Sequence, residues 1–134
     1  MKKGYIYYAH SMRIYNKPQE KAERDCIEKN YDELVLCPNR DALDSWKHST
    51  GVRIMVDCLD FVRKAEFVVC SEYMKYVGQG VYDEVKTALE CEKKVYVIRK
   101  WRFKRVYDVV INNSTDWKIT YGKLITKKRG RCDV

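Results

Sequence analysis

The chain has little of what marks disordered, secreted or membrane-spanning proteins. Its 134 residues include only 2 prolines and 6 glycines, too few for a low-complexity segment or a flexible linker. No apolar run approaches the roughly 18 residues that a membrane span needs, and the polar start MKKGYIYYAHSMR is unlike a secretory signal. We therefore expect a single domain over residues 1–134, located in the cytoplasm and without membrane contact.

Metal-binding and disulfide patterns are missing as well. The 2 histidines and 6 cysteines include no C-x-x-C pair. Several cysteines lie inside apolar runs, where a reduced thiol packs as a small hydrophobe. We expect structural cysteines, no metal site and no cofactor.

The net charge of +8 is distributed very unevenly. Residues 1–98 hold 16 basic and 16 acidic side chains, whereas residues 99–134 hold 11 basic and 3 acidic ones. A basic C-terminal tail of this kind attracts phosphate, so nucleic acid is a candidate partner. A solvated face that keeps the protein soluble explains the same charge.

Short apolar segments alternate with helical patterns along residues 4–99. The predicted strands are GYIYYA, LVLCPN, EFVVCSE and KVYVIR, and between the first two, NKPQEKAERDCIEKNY predicts a surface helix with a charged outer face. This alternation predicts an α/β fold with a Rossmann-like (flavodoxin-like) parallel sheet flanked by helices. After residue 99, RVYDVVI and WKITYGKLI predict a C-terminal β-hairpin, so residues 100–134 form a hairpin and a basic tail.

Polar residues follow the predicted strands at the sheet edge where ligands collect in such folds. Ser11 and Arg13 suit phosphate binding, and Asn39 follows the second strand. His10 can donate to a phosphate or a base, although a lone histidine is more often structural. Two aromatic residues can stack on a nucleobase or cover the core: Trp46 and Tyr73.

The stretch YVGQGVYDEVKTALE reads as a glycine-rich loop that turns into a helix. Gly78 and Gly80 let a ligand approach the backbone closely. We predict a helix that begins near Gly80, with Glu84 in its first turn and at the edge of the buried stripe. There the positive field of the helix end favours the ionised form that a nucleophile needs. A plain helix-end charge is the alternative.

Three stretches, IYYAHSMR, DCLDFVRKAEFVVCSE and GQGVYDEVKTALECEKKVYVIR, together resemble the nucleoside 2-deoxyribosyltransferase superfamily. The resemblance covers residues 4–99 and extends to 2′-deoxynucleoside 5′-monophosphate N-hydrolases and small phage proteins with a YAH strand end. It implies that Glu84 attacks the anomeric carbon of the sugar and that Tyr7 orients it. Asp57 is the candidate second acid, because Cys58 occupies the place where the family has an acidic residue.

The resemblance also implies that Ser11 and Arg13 hold sugar and phosphate. We therefore predict an enzyme that cleaves the N-glycosidic bond of a (deoxy)nucleoside 5′-monophosphate through a covalent glutamyl-ribosyl intermediate. A nucleoside 2-deoxyribosyltransferase is the first alternative, and a non-catalytic nucleotide- or nucleic-acid-binding protein is the second. The expected partners are a small-molecule nucleoside or nucleotide and further copies of the chain in a homo-oligomer, for which the hairpin edge at 105–125 is suited.

Overall fold

The computed structural model describes residues 4–11, 14–31, 34–38, 51–73, 75–113 and 120–127. Strands and helices alternate along the first part of the chain, and strands follow one another in the last part. The elements are β1 (Tyr5–Ala9), α1 (Pro18–Asn30), β2 (Leu34–Leu36), α2 (Gly51–Lys64), β3 (Phe67–Cys70), α3 (Gln79–Glu90), β4 (Val95–Arg99), β5 (Arg102–Val106), β6 (Asp108–Asn113) and β7 (Thr120–Ile125). Within these ranges, no helix has the length and apolar character needed to cross a membrane.

Five strands form the main sheet in the order β2-β1-β3-β4-β5. Strands β1 to β4 are parallel, and β5 runs antiparallel to β4. The predicted α/β fold with a parallel sheet and a C-terminal hairpin is confirmed. The strand order reverses at β1, which lies between β2 and β3, so the crevice at the carboxyl ends of β1 and β3 is the switch point where ligands bind in such sheets.

Helices cover both faces of the sheet. Ile27 of α1 packs with Ile6 and Val35 on one face, while Val62 of α2 and Val85 of α3 belong to the core on the other face. Because β1, β3 and β4 are buried on both faces, nearly every one of their residues must be apolar. The described cysteines form no disulfide. Three of them are buried, as predicted for thiols that pack in the core: Cys37, Cys58 and Cys70.

Helix α1 is less of a surface helix than its charges suggest. Its buried residues are Glu20, Glu23 and Ile27, which are spaced three and four apart and so lie on one helical face. The predicted charged outer face is present, but two carboxylates also point inward, where Glu23 is hydrogen-bonded to Tyr8 of β1 and Glu20 to His10, the residue after β1. A hydrophobicity pattern misses this buried face because two of its members are acidic.

The segment after β4 differs in detail from the predicted hairpin. Lys100 and Trp101 have φ angles of 51° and 64°, and two successive positive φ values form the tight turn that joins β4 to β5. RVYDVVI is therefore not one strand, because β5 ends at Val106 and β6 begins at Asp108. The hairpin consists of β6 and β7, which form a separate two-stranded sheet.

The hairpin is anchored to the loop before α3. Val77 and Gly122 exchange two backbone hydrogen bonds, with N···O distances of 2.9 and 2.7 Å. A Cβ atom at Gly122 would lie 2.9 Å from side-chain atoms of both Val77 and Tyr82. A larger residue at this position would therefore force these two side chains or the hairpin to shift.

We predict that Gly122→Ala lowers the free energy of unfolding by about 1–3 kcal/mol, because the added methyl group displaces the hairpin from α3. The measurement is urea unfolding followed by circular dichroism. Gly78→Ala is the control, since a Cβ atom there would meet nothing within 4 Å. An equal decrease in the free energy of unfolding in both variants would show that the close contacts at Gly122 do not determine the effect.

Candidate active site

The site is built around two consecutive tyrosines of β1. Tyr7 and Tyr8 are both fully buried, and since successive side chains of a strand point to opposite faces, they enter different cores. The Tyr7 hydroxyl donates a hydrogen bond to Glu84 Oε2 on α3. The structure thus brings together the predicted nucleophile and the residue expected to orient it.

Glu84 is placed deeper in the fold than the sequence suggests. Helix α3 begins at Gln79, so Glu84 lies in its second turn rather than its first. Only 6% of the residue is exposed. The field of a helix end falls off within the first turn, and it is therefore weak at this carboxyl group.

Burial dominates the ionisation of Glu84. It raises the pKa of the carboxyl group to about 8, and the nearby negative charge of Asp83 adds to the rise. Hydrogen bonds from Tyr7 and Cys58 lower the pKa and offset only part of this effect. The expectation that the helix end keeps Glu84 ionised is therefore wrong: the free protein holds this carboxyl group mostly protonated at neutral pH.

Cys58 of α2 completes the surroundings of Glu84. Its thiol is hydrogen-bonded to Glu84 and Tyr7, and burial, followed by the charge of Glu84, raises its pKa to about 12. The thiol therefore stays neutral and can donate to the carboxylate. Asp57, the predicted second acid, is half-buried. Its charge contributes to the raised pKa of the Cys58 thiol.

A second polar cluster lies on the opposite face of β1. The Tyr8 hydroxyl donates to Glu23 at 2.6 Å, and the His10 ring stacks on Tyr8 with centroids 4.0 Å apart. His10 contacts the Tyr8 carbonyl through Nδ1 at 3.0 Å and Glu20 through Nε2 at 2.6 Å. Both ring nitrogens thus have protein partners, and binding a substrate phosphate would require His10 to leave one of them.

The same cluster contains atoms that can ligate a metal. His10, Glu20 and Cys37 place one ligand atom each within 4.8 Å of the others, a grouping that sequence spacing missed because β1, α1 and the end of β2 each supply one member. Ligands of a tetrahedral zinc ion are about 3.3 Å apart, whereas His10 and Glu20 are 2.6 Å apart. The two groups thus contact each other directly, at a distance too short for both to ligate one zinc ion.

Tyr15 is a site residue that sequence patterns did not indicate. Its ring lies 5.0 Å from that of His10, and burial, followed by the charge of Glu84, raises its pKa above the usual range. The neutral Tyr15 hydroxyl is therefore in the field of both polar clusters. No periodicity or motif in the sequence marks this residue.

Of the other residues predicted for the site, some lie outside the described residues and some lie in loops at the strand ends. Arg13, Asn39 and Trp46 lie outside the described residues. Ser11 follows β1 and accepts a backbone hydrogen bond from Ile14.

Tyr73 and Tyr76 exchange backbone hydrogen bonds in the loop after β3. Gly78 precedes α3 and faces open space, while a Cβ atom at Gly80 would make only an ordinary contact of 3.7 Å with Met55. Neither glycine is therefore required by close packing, and the predicted approach of a ligand to them stays a prediction.

Comparisons with known proteins return no relative. No protein-family model matches this chain, and neither a curated protein nor a solved structure matches it.

We predict that Glu84 makes the stability of the protein depend on pH. Because its pKa rises from 4.5 to about 8 on folding, the folded state binds more protons than the unfolded state between these values. The free energy of unfolding should fall as the pH rises from about 4.5 to about 8, by an amount on the order of a few kcal/mol. In Glu84→Gln this dependence should be absent, as urea unfolding at pH 5.5 and 8.5 would show.

Glu90→Gln is the matched control, because Glu90 is an exposed glutamate of the same helix. It should keep the pH dependence of the parent. A parent and a Glu84→Gln variant with parallel pH profiles would mean that Glu84 titrates at its ordinary pKa.

Proposed function

We propose that this protein cleaves the N-glycosidic bond of a (deoxy)nucleoside 5′-monophosphate. The observation that supports it most directly is the buried Glu84 of α3, hydrogen-bonded to Tyr7 of β1, with Gly78 facing open space just before the same helix. A buried carboxyl group with a strongly raised pKa and a specific hydrogen-bond partner is a functional candidate on physical grounds. The nucleotide itself comes from the resemblance of residues 4–99 to deoxyribosyltransferases.

In the proposed reaction the Glu84 carboxylate attacks the anomeric carbon, and the bond from that carbon to the base nitrogen breaks. The base leaves with the bonding electron pair and takes up a proton. Water then hydrolyses the glycosyl ester in a hydrolase, or a second base attacks it in a transferase. Tyr7 holds one oxygen of the carboxyl group by its hydrogen bond, and the other oxygen is the one that would attack the sugar.

The raised pKa limits how the carboxyl group can act. A nucleophile must be ionised, and with a pKa of about 8 only about a tenth of Glu84 is ionised at pH 7. A protonated Glu84 suits a different role, that of the acid that protonates the departing base. The two roles predict opposite pH dependences.

We predict that Glu84→Gln lowers base release by at least about a thousandfold, because the amide keeps the size of the side chain but is not a nucleophile. The assay follows free base released from a panel of nucleosides and nucleoside monophosphates, with and without an acceptor base. Glu90→Gln, on the exposed side of α3, should retain the parent rate. Monophosphates should be cleaved faster than nucleosides.

The outcomes of this assay separate the alternatives. Base exchange that needs an acceptor base would identify a transferase. Release by Glu84→Gln at the parent rate would exclude Glu84 as the nucleophile. Nucleotide binding without turnover in the parent protein would favour a non-catalytic nucleotide-binding protein.

We predict that kcat/KM rises with pH and levels off above an apparent pKa near 8, since kcat/KM reports the ionisation of the free enzyme. Asp83→Asn should move this rise in kcat/KM to lower pH, because the charge of Asp83 raises the pKa of Glu84. The measurement is initial rates across pH 5–10. A descending limb near pH 8 would assign Glu84 the role of the acid instead.

A further inference from the structure

A wide basic groove crosses the carboxyl ends of β3 and β4, apart from Glu84. Its volume is about 970 Å³, and its lining does not include Tyr7 or Glu84. Six cationic side chains line it: Lys75, Arg99, Lys100, Arg102, Lys104 and Lys123. They come from the loop after β3, the end of β4, the β4–β5 turn, β5 and β7.

Most of this charge is not neutralised by the protein. Arg99 makes two hydrogen bonds of 2.8 Å to the carboxylate of Glu72, and this pair accounts for one cation and one acid of the groove. Glu23 accepts hydrogen bonds from Tyr8 and Gln19. The other five cations form no ion pair with any residue that the structure describes, so the groove attracts anions.

An exposed aromatic ring stands at one side of the groove. Trp101 is 58% exposed and lines a smaller depression of about 240 Å³ together with Lys100, Ile98, Gln19 and Glu23. Its φ angle of 64° is costly for a bulky residue, since glycine or asparagine is favoured at such positions. An exposed tryptophan held in an unfavourable turn is expected where it serves binding.

We propose that this groove binds single-stranded nucleic acid. The five cations other than Arg99 are spread over four elements, so they can meet several successive phosphates, which favours a polymer over a single nucleotide. Trp101 offers a stacking surface, which an unpaired base can use and a base within a duplex cannot. This inference does not depend on the proposed glycosidase activity, because the groove and Glu84 share no residue.

The first measurement is the binding of fluorescent oligo(dT) and oligo(U) of about 12 nucleotides, followed by anisotropy at increasing salt. If the five cations each meet one phosphate, log K should fall with log salt with a slope of about −3.5. Duplex DNA of the same length should bind more weakly. An absence of binding at low salt, or equal binding of poly-glutamate, would overturn the proposal.

The second measurement uses Trp101→Gly, which removes the ring and suits the positive φ of the turn. This variant should fold at least as stably as the parent, so a loss of binding cannot be ascribed to unfolding. Affinity should fall by roughly 5-fold to 100-fold with little change in the salt slope, because stacking is lost and the cations remain. Unchanged affinity would exclude Trp101 as a stacking residue.

A pair of lysine variants tests the charges. Lys104→Gln should weaken binding to every oligonucleotide and reduce the magnitude of the salt slope by about 0.7. Lys94→Gln is the matched control, since Lys94 is exposed and precedes β4 at the opposite end of the strand, and it should change the slope by much less. Base release by Lys104→Gln should equal that of the parent. If the two lysine variants have equal salt slopes, the oligonucleotide does not bind in this groove.

Discussion

Two consecutive tyrosines on β1, an interior strand of the main sheet, constrain much of the architecture. Tyr7 and Tyr8 are fully buried on opposite faces of the sheet, and a buried hydroxyl group needs a hydrogen-bond partner. Glu84 of α3 supplies it on one face and Glu23 of α1 on the other. The position of each helix along β1 is therefore set by a polar contact as well as by apolar packing, and the residues of the candidate site are also residues of the core.

The two tyrosine–glutamate pairs differ in the hydrogen bonds that stabilise the carboxylate. Glu23 accepts hydrogen bonds from both Tyr8 and the amide of Gln19. Glu84 receives one from Tyr7 and one from the weak thiol donor of Cys58, and burial raises its pKa to about 8. This difference in compensation makes Glu84 the better candidate for chemistry, because a carboxyl group held near its titration point changes its protonation state readily.

Strands β1, β3 and β4 were predictable because they are continuous apolar segments, and β2 because Pro38 closes its short apolar run. The Tyr7–Glu84 contact was anticipated only through a family resemblance, since 77 positions separate the two residues and no periodicity relates them. The ionisation of Glu84 was misjudged because it depends on burial, which a sequence does not display. The inward-facing Glu20 and Glu23 of α1 were missed for a related reason: their partners lie on another element. The β4–β5 turn escaped prediction because Lys100 and Trp101 are not typical turn residues.

The strand order leaves β2 and β5 at the two edges of the main sheet. An edge strand offers its free backbone groups to other chains and so invites aggregation. Strand β2 is only three residues long, while β5 carries the exposed side chains of Arg102 and Lys104, which repel a second copy of the same edge. The positive charge of β5 therefore protects the protein from sheet extension as well as attracting anions, and neutralising that strand would weaken both effects at once.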